Sequence, residues 1–311
     1  MSAIITEKFR QHNATQFHES FSEASGNTYY LMIGKSSPFT SATSGGTDDS
    51  PPTPADDVTS EFYTFDSGIA AKKIASTNIT FAIPRRDHST STVYDKYEHN
   101  ISSSNTTNSG ATNLFDSTFY FRTSANRVYK VLDNNNNSTM SAEPFSEDAG
   151  IITQDGYKLL YMYTITASEQ QSFLTTDFMP VSTDSTVSAR ATDGKIEDTV
   201  IIVSGGSGGT NGTHTDVDIR GDGTGGKATV TVSGGAVTAV SVTTAGSGYT
   251  FATISDADIN TAGGGSLSGS NINVIIGPKG GHGSNAVEEL GGHYVMLQSS
   301  LEGADGDDFL T

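Results

Sequence analysis

Residues 157–165 read Tyr157-Lys158-Leu159-Leu160-Tyr161-Met162-Tyr163-Thr164-Ile165, the most aromatic stretch of the chain. Tyrosines interleaved with leucine and methionine fit a pleated surface packed on both faces, so the stretch predicts a central β-strand. Upstream, residues 117–122 and 127–132, dominated by Val, Tyr and Phe, predict a hairpin-like strand pair; the polar tracts 102–112 and Asn134-Asn135-Asn136-Asn137 bracket it. Ile79, Phe81 and Ile83 alternate as a half-buried strand that Pro84 stops. Thr28-Tyr29-Tyr30-Leu31-Met32-Ile33 reads as a buried strand ended by Gly34 and Pro38. The best helix candidate is residues 6–21, where Phe9, Phe17 and Phe21 are spaced by eight and four. Residues 40–57, with Gly45-Gly46, Asp48-Asp49 and Pro51-Pro52-Thr53-Pro54, predict an exposed loop, and the mixed apolar pattern of 56–75 suits a helix.

After Lys195 the style changes. Gly205-Gly206-Ser207-Gly208-Gly209, Gly225-Gly226 and Gly234-Gly235 punctuate short Val and Thr runs. Residues 229–232 and 237–242 flank Gly234-Gly235, where a tight hairpin turn needs positive φ. From Gly277 the character changes again: Pro278 and Gly280-Gly281-His282-Gly283 form a loop, Ser284 caps a helix over 286–290, and 294–297 is a strand. The expected fold is mainly β (α+β), a multi-domain antiparallel architecture with few short helices. Residues 1–195 form a main β-rich body, 196–276 a small all-β Gly-rich insertion, and 277–311 return to the body. A chain of 311 residues is long enough for about two domains.

Composition removes several function classes. Lys and Arg number 17 against 35 Asp and Glu, a net charge of −18 that repels phosphate, so no nucleic-acid partner is expected. Charged residues are 17% of the chain against roughly 25% in ordinary soluble domains, which leaves Ser, Thr, Asn and Gly to carry the polarity. With no Cys there are no disulfides, thiolate nucleophiles or zinc–cysteine sites. The longest apolar runs, 31–33 and 200–203, are far short of the ~20 residues that cross a bilayer, so no membrane insertion is expected. Met1-Ser2-Ala3-Ile4-Ile5-Thr6-Glu7-Lys8 lacks the basic start and apolar core of a secretion signal, which places synthesis in a cytoplasm.

Chemical motifs fail on context. Gly221-Asp222-Gly223-Thr224-Gly225-Gly226 has G-x-G-x-x-G spacing, but a Thr-Val strand follows where a helix should open, and Ala228 follows Lys227 where a P-loop needs Ser or Thr. Asp216, Asp218 and Asp222 suggest a calcium loop, yet Arg220 and Lys227 occupy ligand positions. The seven histidines (His12, His18, His88, His99, His214, His282, His293) never fall in H-x-x-x-H or H-x-H spacing, so they read as surface or loop residues. No G-x-S-x-G elbow occurs. The acidic pairs Asp48-Asp49, Asp56-Asp57, Glu288-Glu289 and Asp307-Asp308 could serve a glycosidase, but adjacent acids usually sit on solvated loops. No cofactor and no metal is implied. The sharpest local signal is Ile83-Pro84-Arg85-Arg86-Asp87, a Pro-ended strand that delivers two guanidiniums beside a carboxylate; a fixed ion-pair network there and a solvated turn are equally compatible with it.

The order of short segments carries a resemblance. Glu7-Lys8-Phe9-Arg10, Ile33-Gly34-Lys35-Ser36-Ser37-Pro38-Phe39, Ile83-Pro84-Arg85-Arg86-Asp87, Val128-Tyr129-Lys130-Val131-Leu132-Asp133, Asp155-Gly156-Tyr157 and Met179-Pro180-Val181 follow one another as in the eighth-gene-product family of T-even-type contractile-tail phages, a baseplate wedge subunit. The resemblance covers about residues 1–185. Gly246-Ser247-Gly248-Tyr249-Thr250 is similar to modules of other phage virion proteins, and residues 281–292 to segments of baseplate proteins in T-even-like marine phages. Phe39, His88 and Leu159 stand where the family pattern has tryptophan, and the chain ends at Thr311, short of the C-terminal strands the family implies.

What the resemblance implies is a non-catalytic virion protein of the tail baseplate, assembled in the host cytoplasm, that homodimerises and joins other wedge subunits through protein–protein interfaces. Pro84, Arg85, Arg86, Asp87, Gly156 and Tyr157 are then the candidate interface or structural positions. The alternative is a host-surface or carbohydrate-binding adhesin that contacts its receptor through exposed Tyr249 and Phe251 of the insertion. A cell-wall hydrolase, resting on the acidic pairs alone, is a third and weaker reading.

Overall fold

The computed structural model describes residues 6–23, 27–34, 37–42, 45–53, 67–98, 100–303 and 308–309. The chain divides into two compact units, residues 1–81 with 293–311, and residues 82–292.

In the first unit Thr6 starts helix α1 (Glu7–Glu19), its hydroxyl accepting the Phe9 N–H, with Glu7 favourably placed near the helix's positive end. The three phenylalanines expected on one helix face divide. Phe21 lies past the helix and stacks on Tyr29 at 4.3 Å, Phe17 meets both edge-on, and Phe9 stays half exposed. Strand β1 (Tyr29–Gly34) pairs antiparallel with β2 (Gly68–Ile74) in a two-stranded sheet. β1 is therefore not the buried strand its composition predicts: with one partner strand it leaves Tyr30 66% exposed. β2 falls in the segment whose pattern suits a helix. It pairs antiparallel with β1 and buries Ala70 and Ile74, and residues 56–66 of that segment lie outside the described residues.

β3 (Ile79–Pro84) leads into the second unit, where its last three residues pair with β8 (Phe178–Pro180). The heart of this unit is a four-stranded antiparallel sheet in the order β4-β5-β7-β6, from β4 (Tyr120–Arg122), β5 (Arg127–Asp133), β6 (Ile151–Gln154) and β7 (Tyr157–Thr164). β4 and β5 are the predicted hairpin, and β7 is the internal strand the opening stretch predicts. Tyr94, Phe121, Tyr129, Val131, Met140, Tyr157, Leu159 and Tyr161 pack into one core, with Val187 of α3 (Ser185–Arg190) against it; α2 (Ala167–Phe173) precedes α3.

Residues 196–276 carry a core of their own. Long strands β9 (Ile196–Gly209) and β15 (Gly265–Ile276) run antiparallel from Ile196 opposite Ile276 to Gly209 opposite Gly265. Between them β10 (Gly212–Asp218), β12 (Lys227–Ser233) and β13 (Ala236–Thr244) form a three-stranded sheet, while β11 (Arg220–Gly221) and β14 (Ala252–Thr253) edge the β9–β15 sheet. Alternation in β12 sends Ala228, Val230 and Val232 inward, and Gly234-Gly235, both at positive φ, turn the chain into β13 as predicted. Helix α4 (Asp256–Ile259) closes the core with Ile259. After β15, the cap of α5 (Ala286–Glu289) is Asn285 rather than Ser284, its side chain accepting the Glu288 N–H. β16 (Tyr294–Leu297) falls where a strand is expected.

Candidate functional site

The end of β3 holds a fixed charged network. Pro84 presents its carbonyl to the Tyr120 hydroxyl at 2.8 Å, and the Arg85 N–H donates to the Asp177 carbonyl. Arg85 grips Asp87 Oδ2 with Nε and Nη2 at 2.9 and 2.7 Å, and its Nη1 donates to the Thr175 carbonyl. Asp87 Oδ1 accepts from Arg122 Nε at 2.7 Å. Burial would raise the Asp87 carboxyl, but the bonds from Arg122 and Arg85 outweigh it and hold its pKa at about 2. Arg86 turns the other way: its guanidinium lies over the Tyr120 ring at 4.4 Å and donates to the Phe115 carbonyl. Both guanidiniums are thus committed to protein acceptors.

Gly156 and Tyr157 sit at the turn joining β6 to β7. Asp155 and Gly156 both have positive φ, as a two-residue hairpin turn requires. At φ +83° any other residue at Gly156 would be strained, and its Cβ, 2.3 Å from Asn135 Nδ2, would also push the Asn135 side chain aside. Tyr157 is buried, its hydroxyl accepting the Tyr94 N–H at 3.2 Å and donating to the Ser138 carbonyl.

In the Gly-rich segment the expectation of an exposed Tyr249 is corrected, while Phe251 is 64% exposed. Tyr249 is 3% exposed because glycines make a slot for it. Side chains on Gly223, Gly226 or Gly246 would meet its ring or hydroxyl within 3 Å, and that hydroxyl accepts the Gly226 N–H and donates to the Ile219 carbonyl, both at 3.0 Å. The G-x-G-x-x-G spacing therefore houses a tyrosine, and β12 follows it. Asp222 is held near a pKa of about 2 by the Thr250 hydroxyl and the Thr250 and Phe251 N–H groups. Asp218 pairs with Lys227 and Arg220, and Arg220 also pairs with Asp258.

Sequence reasoning missed a buried cluster. Lys130, on β5, is fully buried; its Nζ donates to Glu289 Oε2, lies 2.8 Å from His282 Nδ1 and sits 4.6 Å from the centre of the Tyr97 ring. Glu289 Oε1 accepts the N–H groups of Gly283 at 2.8 Å and Asn285 at 3.3 Å. His282 lies on a loop as expected but is buried there, and one expectation falls: Glu289, at 5% exposure, is no solvated member of an acidic pair. The signal was the flanks. Lys130 lies in a strand buried on both faces from Val128 to Asp133, so its side chain had to find a partner inside. Burial holds the Lys130 amine below its ordinary pKa, against the pull of Glu289. Burial, with the charges of Lys130 and Arg190, also holds His282 well below the imidazole range. Beside the cluster, His282, Tyr97, Leu132, Ile201 and Pro278 line a cleft of about 480 Å³.

Among the described residues no helix is long and apolar enough to cross a membrane. No curated protein matches the chain. Residues 3–143, which carry the Pro84–Asp87 network and Lys130, match the family described as Bacteriophage T4, Gp8, and over that stretch the chain is similar to baseplate wedge proteins of the phage tail.

Proposed function

We propose that the chain is a non-catalytic wedge subunit that homodimerises and joins other wedge subunits through protein–protein interfaces, after assembly in the host cytoplasm. The observation that carries the reading is the family match over residues 3–143. The network at the end of β3 supports it, because Arg85, Asp87 and Arg122 form a preorganised charged surface that loses little side-chain entropy on docking. On this reading Pro84, Arg85, Arg86 and Asp87 support a subunit contact, Gly156 and Tyr157 hold the sheet beneath it, and residues 196–276 are a module inserted into a body made of 1–195 and 277–311.

The test is the light-scattering mass of the purified chain, alone and mixed with the other structural proteins of the virion. A dimer that co-elutes with other tail subunits, and that loses them on Arg85→Ala with Asp87→Ala, is the expected result. A monomer that ignores those proteins and adheres to host cells sinks the reading. It would instead favour the adhesin, for which exposed Phe251 is the supporting feature.

A further inference from the structure

We propose that Lys130 and Glu289 become joined by an amide bond between Nζ and Cδ, formed by the folded chain itself inside the Lys130–His282–Glu289 cluster. The inference is independent of the assembly reading, since it concerns only how the chain is closed on itself.

The parts of an acyl-transfer site are present and pointed at one another. The nucleophile is a lysine amine with no exposed surface, in hydrogen-bond contact with the carboxyl group it would attack. In so dry a place the ion pair is poised against its neutral form, amine plus carboxylic acid, because burying two charges is costly. The electrophile is held from its far side: the Gly283 and Asn285 N–H groups bond Oε1, where negative charge would develop when Cδ becomes tetrahedral. A proton carrier lies alongside. His282 Nδ1 is 2.8 Å from Nζ; an ammonium can only donate, so Nδ1 faces it with its electron pair and the ring N–H sits on the other nitrogen. The Tyr97 ring covers the amine.

The step balances. A proton passes from the Lys130 ammonium to Glu289 Oε2, giving amine and acid. Nζ attacks Cδ, the carbonyl electron pair moves onto Oε1, and His282 Nδ1 takes a proton from nitrogen. The same proton then goes to the Oε2 hydroxyl, the Cδ–Oε2 bond breaks, and one water leaves through the cleft that His282 lines. The products are an amide and a water, with no oxidant, reductant or co-reactant. A chain without Cys, and so without disulfides, would thereby gain a covalent tie between β5 and α5, residues 159 apart in sequence.

The experiment is the intact mass of the denatured full-length chain, followed by a peptide map. The expected result is a mass lower than the sequence mass by one water, with a branched peptide in which Lys130 escapes trypsin and is linked to the segment containing Glu289. Lys130→Arg, which keeps a cation against Glu289, should show the full sequence mass. A wild-type chain at full mass after prolonged standing in the folded state overturns the proposal. So does a water loss that persists in Lys130→Arg or maps elsewhere, such as to a cyclised aspartate.

Discussion

Asp87 and Lys130 show how opposite environments use the same kind of ion pair. The Asp87 carboxylate is 43% exposed and braced by two guanidiniums, so its worth is screened by water and amounts to about 1 kcal/mol or less. Its folded pKa, about 2, lies below the ordinary 3.8, so the pairing stabilises the fold above about pH 4 and is lost as pH falls toward 2. In denaturant titrations, the stability gap between wild type and Asp87→Asn should therefore be present at pH 6 and shrink between pH 4 and 2; a gap unchanged by acid would contradict the assignment. Lys130 is the harsher case. Relative to the ion-paired chain, before any amide forms, Lys130→Met strands Glu289 inside the protein and should cost about 3–5 kcal/mol by urea unfolding, with much of the loss recovered when Glu289→Leu is added. Neither partner of Lys130 was readable in advance. Glu289 and His282 lie far along the chain, and no spacing rule links residues that meet only through tertiary packing.

Elements were legible where one local rule dominates. β7 was visible because aromatic density leaves little choice but a buried strand, and the β12–β13 hairpin because Gly234-Gly235 match a turn that demands positive φ. β1 misled for the converse reason: its composition suits burial, but burial depends on how many strands flank it, and only β2 does so among the described strands. Tyr249 misled because a tyrosine beside glycines reads as loop exposure, whereas the glycines are the walls of its slot. Gly246→Ala should thus be more damaging than a surface glycine change. Its Cβ would lie 2.7 Å from the Tyr249 ring and 2.6 Å from the Thr224 carbonyl at φ +63°, and a loss of about 2–4 kcal/mol in thermal unfolding is expected. The turn after β5 offers the opposite change. Asn135, Asn136 and Asn137 are consecutive left-handed residues, and Asn136 is exposed, so Asn136→Gly should raise stability by about 0.5 kcal/mol, read as a small upward shift in Tm.

At the scale of the molecule, the family match lies in residues 3–143, while the Gly-rich segment keeps a separate core. If 196–276 is an inserted module, replacing 198–274 by a short Gly linker should leave the tyrosine-rich sheet folded, with its near-ultraviolet circular dichroism retained; a collapsed signal would show that body and module fold as one. The pairing of Ile196 with Ile276 makes this deletion geometrically simple, because the chain leaves and re-enters at adjacent points. A doorway of that kind has an evolutionary meaning. Recombination between tail genes can exchange whatever grows from two neighbouring strand ends without rethreading the remainder. If the chain is the wedge subunit proposed above, lineages can vary that outgrowth rapidly while the rest of the chain stays constrained by its neighbours.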